Sequence, residues 1–275
     1  MDKSKKILLI GGGKMGGALL GGWLQTGLLP DQFLVQEPHP SDALMALGVR
    51  VVAGLEQADN FAPDIVIIAI KPQNAASVLP PLSAALPTGC LVLSLLAGTP
   101  IVRLKVLMTG DFHFVRTMPN TPAAIGLGIS ALIGDADVPA ELRMQAEWLM
   151  QAVGETIWLD HEDQINAVTA ISGSGPAYVF YLAEVLAGSG EALGLDPSTA
   201  IRLAYQTIAG AGAMLDLADA NAGDLRRNVT SPGGTTEAAL EVLMAETGLG
   251  DLMRRATSAA VQRARALAIP DKTDN

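Results

Sequence analysis

Between Lys6 and about Leu159 the chain alternates short aliphatic runs with segments of helical spacing. The runs are KILLI, LVQ, RVV, IVIIAI, LVLSLL, HFVR, ISALI and TIWL, and their β-branched content and flanking turn residues predict strands. Segments such as Gly16 to Thr26 lie between them and predict helices. Strands that alternate with helices pair mostly in parallel, because each connection crosses a face of the sheet, and the helices then cover it. After Leu159 the strand pattern stops. Gln164 to Ile171, Ala177 to Leu193, Pro197 to Ala218 and Gly248 to Ala268 carry helical spacing, and Asp196-Pro197 places an N-cap acid before a proline at the first helical position. The pattern therefore predicts an α/β domain with a doubly wound sheet over residues 1–160 and an all-α domain over residues 161–275. The terminal DKTDN reads as a polar, frayed tail.

GGGKMG follows the first run and sets Gly11, Gly13 and Gly16 at G-x-G-x-x-G spacing between a strand and a helix, with Lys14 and Met15 inside the turn. The first glycine permits a tight turn, the second lets a pyrophosphate approach bare backbone, and the third packs helix on strand. Its place after a strand and before a helix favours a Rossmann-type dinucleotide site over a mere glycine-rich turn. The end of the next strand places Glu37, whose carboxylate can accept the ribose hydroxyls and repels a 2′-phosphate, which favours NADH over NADPH. His39 and Ser41 could still assist a phosphate, and an ordinary solvated loop acid is the alternative for Glu37. Ala69, Lys71 and Pro72 end one later strand and Ala97-Gly98 the next, where ligands of such sheets bind, although proline after a strand is common in itself.

TSPGGTTEAAL, residues 230–240, interrupts the helical half. It reads either as a turn with a capped helix start or as an anion cradle made of free N–H groups, two glycines and neighbouring hydroxyls. Charge makes the second reading local. Lys+Arg 18 against Asp+Glu 28 gives a net charge of −10, so no basic surface is available to track nucleic acid. The single Cys90 cannot form an intrachain disulfide, and His39, His113 and His161 lie without metal-ligand spacing, so no metal is expected. Glycines end the first apolar run too early for a signal peptide, and the longest later aliphatic run, Ile65 to Ile70, is too short to span a membrane. A soluble cytoplasmic protein is the expectation.

The blocks VRTMPNTPAAIGLGISAL, TAISGSGPAYVFYLAE, GLDPSTAIRLAYQTIAGAGAML and LRRNVTSPGGTTEAAL, in this order, resemble the pyrroline-5-carboxylate reductases from Ile7 to about Leu267. MPNTP, SGSGPAY and TSPGGTT are the most specific of them. The resemblance implies reduction of 1-pyrroline-5-carboxylate to L-proline by NADPH or NADH. It also implies a helical dimerisation domain interlocked with that of a second copy, as a homodimer or a ring of dimers. It assigns the substrate carboxylate to Ser231, Gly234, Thr235 and Thr236, and it favours the cradle over the plain cap, with Glu237 in the capping role. Asn120 would meet the cofactor near its nicotinamide, its plainer role being to set the turn before Thr121-Pro122.

Chemistry narrows the class further. The β-hydroxyacid dehydrogenases share the two-domain plan but use a lysine early in the helical domain, and SGSGPAYVFYLAE has none; after Lys71 only Lys105 and Lys272 remain. Imine reduction fits that gap, since a cyclic imine can arrive protonated and needs mainly orientation. Thr169 is the candidate catalytic hydroxyl, with a bond to its own helix backbone as the alternative. Two positions depart from the resemblance: Leu55-Glu56 stands where many relatives carry an Asn near the ribose, and Glu37 where NADPH-preferring relatives carry a neutral or hydroxyl residue. A different imine or keto-acid reductase, or a non-catalytic dinucleotide-binding protein, stays open. The stripe Tyr178, Tyr181, Leu182 and Val185 reads as core or dimer interface.

Overall fold

A computed structural model of the chain describes residues 5–58, 61–217 and 220–268, so Ala218 at the end of one expected helix and the DKTDN tail lie outside the described residues. These form two compact units, residues 5–173 with 261–268, and residues 174–260.

All eight aliphatic runs are strands: β1 (Ile7–Ile10), β2 (Phe33–Gln36), β3 (Arg50–Val52), β4 (Ile65–Ile68), β5 (Leu91–Ser94), β6 (His113–Met118), β7 (Gly128–Gly134) and β8 (Gly154–Trp158). They make one sheet in the order β3-β2-β1-β4-β5-β6-β7-β8, parallel throughout except where β7 runs against β6. The first unit also carries α1 (Lys14–Gln25), α2 (Asp42–Met45), α3 (Ala75–Ala85), α4 (Ile101–Leu107), α5 (Ala140–Gln151) and α6 (Gln164–Val168), the last running into a π-type turn over Thr169–Gly173. β1 and β4 are buried at every position because alternate residues feed two cores. Ile7 and Leu9 join Leu19, Leu20 and Trp23, while Leu8 and Ile10 join Leu79 and Leu82. A strand covered on both faces must be apolar without alternation, which is why these runs were visible as blocks.

Trp23 anchors the first of those cores. Its ring stacks on Phe33 at 5.9 Å, and its indole N–H donates to the Leu149 carbonyl at 2.7 Å, satisfying a carbonyl in the last turn of α5.

The second unit holds α7 (Gly175–Ala192), α8 (Pro197–Leu217), α9 (Ala222–Asn228), α10 (Thr235–Leu243) and the first part of α11 (Leu249–Ala268). Asp196 caps α8 as the sequence predicts, accepting from the Ser198 and Thr199 amides at 3.0 and 3.1 Å. α7 and α8 meet through small residues, Ala183, Ala187, Ala200 and Ala204, with Gly190 tight against Ala200. Larger apolar residues of α7 stay outside: Phe180 is 68% and Tyr181 65% exposed, and Leu182 and Val185 are exposed with them. For Tyr181, Leu182 and Val185 this removes the reading as core of a single chain.

Candidate active site

The strand order reverses between β1 and β4, so the loops that leave their C-terminal ends diverge to opposite faces and open a crevice. Gly11 lies at that point. It has φ +99°, and a Cβ there would sit 2.7 Å from the Ala69 carbonyl oxygen. Gly16 is equally constrained, since a Cβ would fall 2.1 Å from the Gly11 oxygen and 3.3 Å from the Ala69 methyl. Gly13 differs: nothing lies within 4 Å of its missing Cβ. It is the N-cap of α1 and carries no side-chain cap, and among the described residues the Lys14 and Met15 amides have no protein acceptor. Two glycines therefore close the turn against β4 and the third leaves the helix N-terminus bare, the shape and polarity a pyrophosphate requires. The residues present fit a dinucleotide.

Glu37 follows β2, its amide bonded to the Val52 carbonyl at 2.9 Å. One carboxylate oxygen accepts from the Gly12 amide at 3.0 Å and the other from the His39 amide at 3.1 Å. The side chain is thus locked onto the glycine loop, and each oxygen keeps acceptor capacity for a further donor. Gly12 is fixed by the same neighbourhood, since a Cβ on it would meet the Leu44 side chain at 2.3 Å.

Along the same edge follow Ala69, then Lys71 and Pro72, which start a short 3₁₀ turn after β4, and Ala97 after β5. Asn120 ends the segment after β6 and is buried; its side-chain oxygen accepts from the Ile129 amide at 3.0 Å and its carbonyl from the Ala123 amide at 3.1 Å. It sets the turn, and its side-chain amide nitrogen donates to no described residue. Met118, Ile133 and Ile165 form a small apolar floor onto which Ala97, Leu159 and Val168 pack. Thr169 stands beside it, with its methyl 3.8 Å from the Cβ position of Gly173. The Thr169 hydroxyl donates to the Ile165 carbonyl at 2.8 Å, so its hydrogen is engaged by its own helix and its oxygen remains an acceptor. The first unit therefore gathers Gly11, Gly13, Lys14, Met15, Gly16, Glu37, Ala69, Lys71, Pro72, Ala97, Asn120 and Thr169 on the C-terminal edge of its sheet.

Ser231, Gly234, Thr235 and Thr236 belong to the second unit. Gly233 has φ +70°, the Gly234 amide donates to the Ser231 carbonyl at 3.0 Å, and Gly234 is the N-cap of α10 without a side-chain cap. The Gly233 amide donates to Glu237 at 2.6 Å, which is the capping role expected of that acid. Among the described residues the Ser231, Thr235 and Thr236 hydroxyls, and the amides of Thr235 and Thr236, have no partner. The turn is thus closed by Glu237 and leaves these hydroxyls and amides at a helix N-terminus, the kind of donor set an anion site would use.

Sequence reasoning missed Arg116 and Glu162. Arg116 is buried on β6 and donates to Glu162 at 2.8 Å. A charged residue inside HFVRTM was the available signal, because a buried arginine needs a partner. Cys90 is buried, its thiol pushed up to about 11 by burial first and the nearby Asp64 carboxylate second. Among the described residues no cluster of His, Cys, Asp or Glu could hold a metal, and no helix is long and apolar enough to cross a membrane. Lys105 is paired with Asp135.

A glycine-rich turn at the switch point of a doubly wound sheet, in a chain that continues into an all-helical unit, has the plan of an NAD(P)H-dependent oxidoreductase, and the comparisons with known proteins show that class. Residues 6–98 match the family described as NADP oxidoreductase, coenzyme F420-dependent, and residues 162–267 match that described as pyrroline-5-carboxylate reductase dimerisation. A pyrroline-5-carboxylate reductase of Pseudomonas aeruginosa is 40% identical over 96% of this chain and 97% of its own. The structure of a pyrroline-5-carboxylate reductase from Coxiella burnetii superposes with a TM-score of 0.88 at 36% identity, covering 97% of this chain and 99% of that one. That of the Plasmodium falciparum pyrroline carboxylate reductase with NADP bound reaches 0.83 at 26% identity, covering 97% and 99%. The chain belongs to the pyrroline-5-carboxylate reductase family.

Proposed function

We propose that the chain reduces 1-pyrroline-5-carboxylate to L-proline, the last step of proline biosynthesis, with NADPH or NADH as the hydride donor. The bound cofactor would supply the hydride for the C=N carbon, and the imine nitrogen ends with one added proton. α1 and its glycine turn would hold the pyrophosphate, Glu37 would meet the adenosine ribose, and Ala97 and Asn120 would meet the nicotinamide side. The TSPGGTT cradle holds the substrate carboxylate through Ser231, Thr235 and Thr236. Thr169, whose hydrogen is committed to Ile165, acts as acceptor for the N–H of the protonated imine and orients it; the proton itself arrives with the substrate. Catalysis is then mainly positioning of two bound partners. The observation that carries the reading is the start of α10, where Gly234 offers no side-chain cap and the Ser231, Thr235 and Thr236 hydroxyls lie within two residues of the turn and the first helical amides.

The exposed apolar face of α7 supports a homodimer, since a water-soluble chain does not leave Phe180, Tyr181, Leu182 and Val185 uncovered together. A ring of such dimers and residence in the cytoplasm complete the proposal. The test is oxidation of NADH and NADPH, followed by absorbance, with 1-pyrroline-5-carboxylate and with other small cyclic imines. For Ser231→Ala the expected result is a Michaelis constant for the imine raised roughly 10- to 100-fold, the worth of one hydrogen bond to a charged group, with the constant for cofactor unmoved. Absence of turnover by a protein that demonstrably binds the dinucleotide would refute the assignment of substrate.

A further inference from the structure

We infer that Arg116 and Glu162 are positioning residues for the cofactor, holding the loop between β5 and α4 in the shape that presents Ala97 and Gly98 to the dinucleotide. The inference rests on the reading of that loop as a cofactor contact.

The loop is tied at both ends by one ion pair. At its start the Arg116 guanidinium reaches the Leu96 carbonyl at 3.4 Å, while its other terminal nitrogen donates to Glu162 at 2.8 Å. At its end the same Glu162 oxygen accepts from the amide of Ile101, the first residue of α4, at 2.7 Å. Further bonds support the start, the Leu95 amide giving to the Ile68 carbonyl at 2.9 Å and the Leu96 amide to the Ser94 hydroxyl at 3.3 Å. Between these ties Gly98 turns through φ +66°, and among the described residues the amides of Ala97 and Gly98 have no partner. The loop is fixed where it begins and where it ends, and its donors are left free in the middle.

Stability alone does not account for the pair. Burying a guanidinium costs more than its bonds commonly return, and a well-packed apolar side chain would serve the fold as well. Here the burial is incomplete in its compensation too, since the Arg116 Nε has no partner. What the pair supplies is geometry. A planar guanidinium holds two acceptors at a fixed angle, and one carboxylate oxygen shared between a strand and a helix start fixes their separation. Glu162 also lies just before α6, which leads into the turn bearing Thr169, and the Ile165 amide donates to the Glu162 carbonyl at 3.2 Å. One residue thus sets the nicotinamide loop and the Thr169 segment against each other, on the apolar floor they share.

The test measures dissociation constants for NADH and NADPH by nucleotide fluorescence, steady-state constants, and thermal midpoints, for wild type, Glu162→Ala, Glu162→Gln and Arg116→Lys. Glu162→Ala should bind both cofactors roughly 10- to 100-fold more weakly, the effect of a misplaced contact. Glu162→Gln keeps an acceptor oxygen for Arg116 and Ile101 and should restore affinity to within about threefold of wild type, a rescue expected of positioning through hydrogen bonds. A merely structural role would lower the thermal midpoint and leave cofactor affinity at room temperature intact; that result for folded Glu162→Ala overturns the inference. Should Glu162→Ala not fold, Arg116→Lys decides, since it keeps the charge and loses the fork to Leu96: wild-type affinity there overturns the inference and a several-fold loss supports it. Wild-type protein that binds neither dinucleotide would refute the underlying cofactor reading, a result distinguishable from failure of the variants.

Discussion

Replacing Glu37 by Gln tests the reading of the cofactor site most directly, because the effect divides into a part shared by both cofactors and a part that separates them. The shared part is small. Gln can still accept from the Gly12 amide, where Glu37 accepts at 3.0 Å, so the glycine loop keeps its tie to this side chain, while the His39 bond of 3.1 Å is lost. The separating part has two contributions. The ribose hydroxyls of NADH lose a charged acceptor, worth about 1.5–3 kcal/mol for such bonds. NADPH loses the repulsion between the carboxylate and its 2′-phosphate, which at about 5 Å, with two charges in a water-like dielectric, is about 1.7 kcal/mol. The two act in the same direction on the ratio of affinities, together about 3–5 kcal/mol, or roughly two to four orders of magnitude. Fluorescence titration with each cofactor measures that ratio, independently of whether any imine is turned over. Wild type should favour NADH, and Glu37→Gln should move toward NADPH. A wild type that strongly prefers NADPH, or a ratio unchanged by the substitution, would show that Glu37 merely ties the loop and reads nothing on the ribose.

Two further outcomes concern stability. Trp23→Phe keeps the stacking surface on Phe33 but removes the donor to the Leu149 carbonyl, and should cost about 1–3 kcal/mol, a fall of several degrees in the thermal midpoint; an unchanged midpoint would mean that water replaces the indole N–H. Acid should destabilise the fold in a defined window. The Asp196 carboxyl is held below its ordinary value near 3.8 by the Thr199 hydroxyl and then by backbone amides at the start of α8. Asp135 is held below the same value although burial pushes it up, because Lys105 and the Ala136 amide outweigh that burial. Depressed carboxylates contribute stability above about pH 4 that is lost as pH falls through their folded values, whereas Lys105, raised first by its bond to Asp135, loses its share only above about pH 10. Thermal midpoints should therefore be flat with respect to these groups from about pH 5 to pH 9 and fall below pH 4, less steeply in Asp135→Asn; an equal fall in that variant would refute the assignment.

The parts of this protein that were legible in its sequence are those where one physical requirement acts on neighbouring residues. Each parallel strand must be apolar on both faces, so KILLI and IVIIAI declare themselves, and a backbone that must close against Ala69 has only glycine at Gly11 and Gly16 to use. The parts that were not legible depend on partners far along the chain. Arg116 and Glu162 are 46 residues apart, and only the burial of Arg116 reveals that one needs the other. The bond from the Gly12 amide to Glu37 spans 25 residues and turns an acid expected to meet a ribose into part of the glycine loop as well. Nor does any pattern announce the π-type turn at Thr169–Gly173, whose sequence reads as the continuation of α6. For Tyr181, Leu182 and Val185 the helical stripe was plain, but a stripe does not say whether its cover is another segment of the same chain.

The treatment of helix N-termini joins the two candidate sites to the charge of the chain. α8 and α9 begin under acceptors from their own caps, Asp196 and Asn221. α1 and α10 begin under Gly13 and Gly234, which have no side chain to offer. Leaving a helix start with glycine costs only a few tenths of a kcal/mol relative to Ser or Asn, and it keeps the first amides and the positive end of the dipole open to a ligand. In a protein of net charge −10, whose proposed substrate and cofactor are both anions, that is a substantial gain. Donors built from backbone and hydroxyl groups attract a carboxylate or pyrophosphate only at short range and in one geometry. A cluster of arginines would draw neighbouring acids of the same chain as readily as the ligand. On the proposed reading an acidic surface and uncharged helix starts are compatible, because backbone and hydroxyl donors would hold an anion without attracting the acids of the same chain.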